Sequence, residues 1–363
     1  MFLAAPGSQL ADCPALTIVR RTSPNLSELS MTSPRLDVVG IGNAIVDIIG
    51  RCDDAFLARH NAPKGHMRLV DPPTLTALYD NMGPSVEISG GSAANTIAGV
   101  AAFGGTAGFI GKIADDEFGR IFAHDIRSQG VTFAGKPVAA SKEVTTSRSL
   151  ILVTPDGERT MNTYLGVSTD FHPADLDADL IACAQVVYLE GYLFDKPEAK
   201  AAFRKAAEIA RKANCKVALS LSDSFCVDRH RDEFLAFIRS GIDIVFANEG
   251  EITSLYQTGD FEAAAHAIGC DVRLAALTRG AKGSVVVAEG KTTSIPVHAV
   301  AKVVDTTGAG DLYAGGFLFG LARGKSHELS GRLGGLAASE IISHIGARPE
   351  ANLAKWAAEH GLG

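Results

Sequence analysis

The chain has 363 residues, 46% of them hydrophobic and 21% charged, which excludes wholesale disorder and fits about two domains or one large α/β domain with an appendage. A formal net charge of −7 with no dense basic run argues against nucleic acid as a partner, and no apolar run reaches the ~18 residues of a membrane span. Cys13, Cys52, Cys183, Cys215, Cys226 and Cys270 form no C-x-x-C pair, so reduced thiols and a cytoplasmic location are expected.

Residues 1–34, rich in Ser, Thr and Pro, are expected to be a flexible extension, with the folded domain beginning between Met31 and Arg35. Leu10 to Cys13 imitates a lipoprotein cleavage box, but Asp12 and the absence of Lys or Arg before Phe2 argue against it. From Leu36 onward, short apolar strands alternate with helices. Asp37 to Gly42 reads as a buried strand. Ser92 to Phe103 reads as a helix capped by Ser92 and stopped by Gly104-Gly105. Thr106 to Ile110 is strand-like, and Asp115 to Gln129 is an amphipathic helix. The rhythm returns with strands at 186–189, 217–220, 242–246 and 274–277, and with helices at 198–213, 228–239 and 261–268. Such alternation implies right-handed βαβ units and a mostly parallel sheet covered on both faces. The stretches 45–70 and 132–165 break it with strands that lack long helices between them, and predict a small β lid over a cleft. Residues 351–363 are expected to form a terminal helix packed on a main domain spanning 35–350.

Five segments carry chemistry, each with a plainer structural alternative. Asp305-Thr306-Thr307-Gly308-Ala309-Gly310-Asp311 leads glycine-rich backbone into a helix, an anion hole built from amides without a lysine. There Asp311 is either a general base toward a hydroxyl or a helix-capping acid. Gly90-Gly91-Ser92-Ala93-Ala94-Asn95 either lets a polar ligand sit on backbone, with Asn95 facing hydroxyls, or packs a helix closely. Asn43 and Asp47 lie beyond the first strand, at the end of a parallel sheet where ligands bind, or are a turn Asn and a solvated Asp. Asn248 and Glu251, three apart, either hold water around magnesium or form a capping box. Thr278-Arg279-Gly280-Ala281-Lys282-Gly283 is a turn that either meets a nucleotide or only reverses the chain. Two apparent motifs fail. Ile45 stands where a dinucleotide fingerprint begun at Gly40 needs its third glycine, and Phe319 where a P-loop ending at Gly324-Lys325-Ser326 needs its first.

Taken together, and in this order, these segments resemble the ribokinase-like (PfkB) carbohydrate kinase family over about residues 36–350. The Asp305 to Asp311 run, followed by Gly315-Gly316, is the most specific part of the likeness. The resemblance implies a three-layer αβα sandwich with a mostly parallel central sheet and a small β lid. It also implies transfer of the ATP γ-phosphoryl group to a primary hydroxyl. By that likeness Asp311 is the base, and the amides of Gly308, Ala309 and Gly310 form the anion hole. Asn248 and Glu251 act on magnesium through water, and Thr278, Gly280 and Gly283 contact ATP. Asp47, Gly91 and Asn95 bind sugar hydroxyls. Asp305, Thr307 and Gly346 match a monovalent-cation site for potassium.

Within the family the N-terminal half is most similar to adenosine kinases: Asn43 and Asp47 match a substrate pair, Tyr192 an aromatic against the purine, and Leu165 an apolar purine contact. Thr307 and Arg68 depart from that pattern. The expected reaction is therefore adenosine to AMP, with a ribokinase, fructokinase or 2-keto-3-deoxygluconate kinase specificity as the alternative. A silent sugar or nucleotide sensor on the same fold is a second alternative. A monomer or a homodimer is expected, with small molecules as the only other partners.

Overall fold

The computed structural model describes residues 35–363; the expected extension over 1–34 lies outside them. Fourteen strands are described: β1 (Leu36–Ile41), β2 (Ile45–Arg51), β3 (Met67–Leu69), β4 (Ser85–Gly90), β5 (Ala107–Ile110), β6 (Val131–Phe133), β7 (Ser147–Val153), β8 (Arg159–Tyr164), β9 (Ala184–Glu190), β10 (Lys216–Ser220), β11 (Ile244–Asn248), β12 (Leu274–Thr278), β13 (Ser284–Ala288) and β14 (Lys291–Ile295). They form two sheets. The larger runs β14-β13-β12-β11-β10-β9-β1-β5-β6, parallel from β12 to β6, with β13 and β14 added antiparallel at one edge.

Alternation along β1 explains the layers. Val39 and Ile41 face one core with helices Pro197–Lys212 and Ser224–Arg239, while Val38 faces the other with helices Ser92–Ala102 and Ala309–Ala322. Each strand is apolar on both sides because both sides are covered, and the result is a three-layer αβα sandwich. Leu353 and Ala357 of the last helix, Leu353–Glu359, join Leu333, Leu336 and Ile341 in a third apolar cluster.

The smaller sheet runs β3-β8-β7-β2-β4. It differs from the expected lid at two places. Val131–Phe133 was expected at the start of the second lid segment, but it pairs in parallel with β5 in the large sheet, where Val131 and Phe133 are buried beside Phe109 and Phe122. Ser85–Gly90, outside the expected lid segments, pairs antiparallel with β2. Three polar ties fasten the small sheet to the body. Asp116 caps helix Glu117–Ser128 and accepts from Thr146 N and Oγ1 (2.7 Å each). Asp125 accepts from Ser89 N (2.8 Å). Arg159 at the start of β8 makes a buried ion pair with Asp305. Among the described residues, no helix is long and apolar enough to cross a membrane.

Candidate active site

A cleft of about 740 Å³ opens between the two sheets. Parallel strands deliver one wall: Asn43, Glu190, Ser220, Asn248 and Thr278 lie at or just past the carboxyl ends of β1, β9, β10, β11 and β12, and all line it. The small sheet delivers the other wall through alternate residues, Ile45 and Asp47 on β2, Met67 and Leu69 on β3, and Met161 and Thr163 on β8. Of the expected site residues, the cleft brings together Asp311, Gly308, Ala309, Gly310, Asn43, Asp47, Gly91, Asn95, Leu165, Tyr192, Asn248, Glu251, Thr278 and Thr307. Gly280, Gly283, Asp305 and Gly346 do not line it.

Asp311 sits in the first turn of helix Ala309–Ala322, whose N-cap is Gly308 and has no side-chain cap. The capping alternative for Asp311 is therefore not what the fold uses. Its carboxylate instead accepts from Ser92 Oγ (2.7 Å) and Asn95 Nδ2 (2.9 Å). Ser92 likewise does not cap its helix; the N-cap there is Gly91, whose φ of +98° and whose contact with the Asn43 carbonyl leave no room for a side chain. Gly308 is as constrained, with φ +75° and a virtual Cβ 2.8 Å from that of Ala347. In the expected anion hole the Ala309 amide already donates to the Thr306 carbonyl (3.2 Å). The amides of Gly308 and Gly310 have no partner among the described residues.

Burial raises the pKa of four carboxylic acids here. Asp47 is pushed up to about 6, Glu190 and Glu251 to about 7, and Asp311 is raised as well, all chiefly through loss of water. Arg348 pulls against this at Asp47 and Asp311. Its guanidinium donates to Asn95 Oδ1 and to Ser89 Oγ (3.0 Å), so Asn95 must turn its amide nitrogen toward Asp311. Burial lowers Arg348 itself to about 10.

Asn248 and Glu251 form the capping box that was their plainer alternative: Glu251 accepts from Asn248 N (2.9 Å) and Nδ2 (2.6 Å), and Asn248 Oδ1 accepts from Glu251 N (2.8 Å). They line the cleft while doing so, with both carboxylate oxygens engaged, which suits contact with a cation through water rather than directly. No cluster of three His, Cys, Asp or Glu able to hold a metal occurs among the described residues. Thr278 reaches the cleft, but Arg279 pairs with Glu249 (3.0 Å) and stacks on Phe261, and Gly280 and Gly283 only turn the chain into β13. At the expected monovalent-cation position, the Asp305 carboxylate accepts from Gly346 N (3.1 Å) and Thr307 N (3.0 Å) and is paired with Arg159.

Arg68 neither stacks in the cleft nor points freely into solvent. It lies on the far face of β3, bonded to Asn162 Oδ1 (2.6 Å) and the Asn61 carbonyl (2.6 Å), which leaves Met67 and Leu69 over the cleft. These two, with Phe225 (71% exposed) and Tyr192 (39%), give the mouth apolar faces that the chain leaves uncovered. Sequence reasoning missed Glu190, Arg348, Met67, Leu69 and Phe225. Strict alternation on β3 was the one available signal for Met67 and Leu69.

Comparison with known proteins gives the family. Residues 83–353 match the family described as pfkB family carbohydrate kinase. The chain is 51% identical to an adenosine kinase of known structure from Sinorhizobium meliloti, over 90% of this chain and 99% of that one, with a TM-score of 0.83. It is 50% identical to a probable sugar kinase from Rhizobium etli, covering 91% and 100% of the two chains at a TM-score of 0.84. Among more distant relatives, adenosine kinase of Saccharomyces cerevisiae is 28% identical over 85% of this chain and 95% of its own. The 5-dehydro-2-deoxygluconokinase of Bacillus subtilis is 29% identical over 85% and 90%. The chain belongs to the pfkB family of carbohydrate kinases, enzymes that phosphorylate alcohol groups.

Proposed function

We propose that this kinase phosphorylates a nucleoside, adenosine, at its 5′-hydroxyl to give AMP. The observation that carries the reading is the pairing of two surfaces in one cleft. Asn43, Asp47 and Asn95 offer donors and acceptors suited to ribose hydroxyls, and the exposed faces of Tyr192, Phe225, Met67 and Leu69 stand where only an attached base would use them. Stacking an aromatic on a base is worth ~1–3 kcal/mol, enough to prefer a nucleoside over free ribose. The 51% identity to a bacterial adenosine kinase supports the same substrate.

In this mechanism Asp311 takes the proton of the 5′-hydroxyl as its oxygen attacks the γ-phosphorus, and the bond to the β-phosphate oxygen breaks to release ADP. The free amides of Gly308 and Gly310, at the positive end of a helix, face the charge that develops on the transferred group. Magnesium would supply charge neutralisation on the phosphates, with Asn248 and Glu251 holding its water.

A sugar substrate is the second reading, favoured by the near-equal likeness to the Bacillus subtilis 5-dehydro-2-deoxygluconokinase. The test compares kcat/KM for adenosine, inosine, ribose and fructose under identical ATP, magnesium and potassium. Adenosine is expected to lead; a higher value for ribose or fructose overturns the nucleoside reading. Asp311→Asn is expected to lower kcat by ~10²–10⁴ with ATP binding retained, and turnover within a few-fold of wild type removes Asp311 as the base.

A further inference from the structure

The cleft face of the small sheet carries one polar row between apolar ones. Asp47 on β2 lies abreast of Ser149 on β7, Ser149 abreast of Thr163 on β8, and Thr163 abreast of Leu69 on β3. Residues side by side on neighbouring strands share a face, and these four all line the cleft. On one side of the row Met67 and Met161, also abreast, line the cleft, and on the other Ile45 does. Ser149 is 2% exposed and Thr163 7%. Their hydroxyls are joined by a 2.8 Å hydrogen bond in which either oxygen can be the donor. Neither hydroxyl has another partner among the described residues. The phosphoryl-transfer scheme uses Asp47 and gives this pair no task.

We propose that Ser149 and Thr163 are specificity-determining residues that present one hydroxyl proton to the alcohol substrate, so that the site rewards a hydrogen-bond acceptor beyond the substrate hydroxyl held by Asp47. The count of protons carries the argument. Two hydroxyls hold two protons, and their mutual bond consumes one, whichever oxygen donates. The second has no acceptor in the protein, and it stands in the wall of the cleft. Once a substrate closes the wall off from water, that donor meets an acceptor on the substrate or stays buried and unpaired. Neighbouring strands lie ~4.8 Å apart, which sets Ser149 and Thr163 one and two strand spacings from Asp47, far enough to pass the sugar and meet its base. The acceptors a purine nucleoside offers there are the ring nitrogens of the base, and Met67, Met161 and Ile45 suit the apolar remainder of the rings. A carbon in place of the nitrogen keeps shape and size but sets a C–H against the O–H. This assignment rests on the nucleoside reading and deepens it, from the presence of a base to the polarity of one of its atoms.

The experiment measures kcat/KM for adenosine and for 1-deaza-, 3-deaza- and 7-deazaadenosine, in each of which a C–H replaces one ring nitrogen. The proteins are wild type and the double variant Ser149→Ala, Thr163→Val. Replacing both partners of a buried bond by apolar groups of similar shape is close to neutral for folding, so the double variant is expected to fold, which thermal unfolding checks. Wild type is expected to prefer adenosine over one of the three analogues by ~10-fold, and the double variant to bring that ratio to within ~2-fold. Equal kcat/KM for all four nucleosides in wild type overturns the proposal, as does the wild-type ratio retained in the double variant. Should the double variant fail to fold, Ser149→Ala and Thr163→Val decide singly: one of them must lower the ratio, and a ratio unchanged in both overturns the proposal. If adenosine is not turned over but a sugar is, the nucleoside reading falls and the pair is judged on that sugar. The double variant should then lower kcat/KM for it by ~10-fold, and a value equal to wild type overturns the role of Ser149 and Thr163.

Discussion

At the scale of single residues, the proposed base, Asp311, is defined by what competes for its carboxylate. Asp311 is buried, which disfavours its charged form, while Ser92, Asn95 and Arg348 favour that form. A base must be ionised, so kcat/KM should rise with pH along an acid limb lying above the ordinary carboxylate range. Removing the guanidinium in Arg348→Met deletes a positive neighbour of Asp311 and should move that limb upward. A pH–rate profile superimposable on wild type would detach Arg348 from the base. The same variant frees Asn95 to flip, so KM for the alcohol should rise more than KM for ATP. Sequence alone exposed Asp311, because glycines crowd the backbone around it and a helix follows at once. It did not expose Arg348, since the bond from Arg348 to Asn95 joins residues 253 apart and nothing near Arg348 hints at it. Glu190 was invisible for a related reason: in sequence it reads as the polar end of an apolar strand, and only the fold brings Asn43 and Ala93 to its two oxygens.

At the scale of elements, the helix Glu249–Leu255 starts from a structural device, a capping box, to which we assign a functional role as well. The box between Asn248 and Glu251 satisfies helix N–H groups whether or not a cation is near. Glutamine keeps one acceptor for Asn248 N but turns its NH2 group against Asn248 Nδ2, so Glu251→Gln should lose part of the stability that Glu251→Ala loses, while raising the magnesium concentration needed for half-maximal rate. Glu251→Ala should lose both, with thermal unfolding reporting ~0.5–2 kcal/mol. An unchanged magnesium titration in both variants reduces the pair to a cap. Most elements were legible because a strand buried on both faces is a short apolar run, as β9 and β12 are. Ser85–Gly90 was not. It is half polar, it lies at the edge of the small sheet, and its register is set by a long-range partner, β2. Val131–Phe133 misled for the opposite reason: three residues carry no signal of which sheet they will join.

For the whole molecule, the cleft concentrates carboxylic acids that folding makes harder to ionise. Each raised pKa means that the folded protein binds protons more tightly than the unfolded chain, so its contribution is most favourable at low pH and is lost as pH rises. With Asp47 at about 6 and Glu190 and Glu251 at about 7, that loss should run from about pH 4.5 to about pH 7. The ligand-free protein should therefore show a Tm that declines across this window, and Asp47→Asn should flatten the part below pH 6. A Tm that climbs equally in both proteins would show that these acids are ionised at no cost.

The tie between Arg159 and Asp305 has a consequence in terms of ionic strength. It joins the small sheet to the segment that leads through Gly308 into the helix carrying Asp311, and both side chains are almost wholly enclosed. Mobile ions screen charges that water reaches; at 1 M salt the screening length shrinks to about 3 Å, yet an enclosed pair is screened far less. Lys64, which bridges Asp54 and Asp156 at the outer edge of the lid, is open to that screening. Concentrated salt should therefore loosen the rim of the lid around Lys64 while its root at Arg159 stays attached. Amide hydrogen exchange should accelerate at residues 60–66 and 154–158 and remain slow at 159–160.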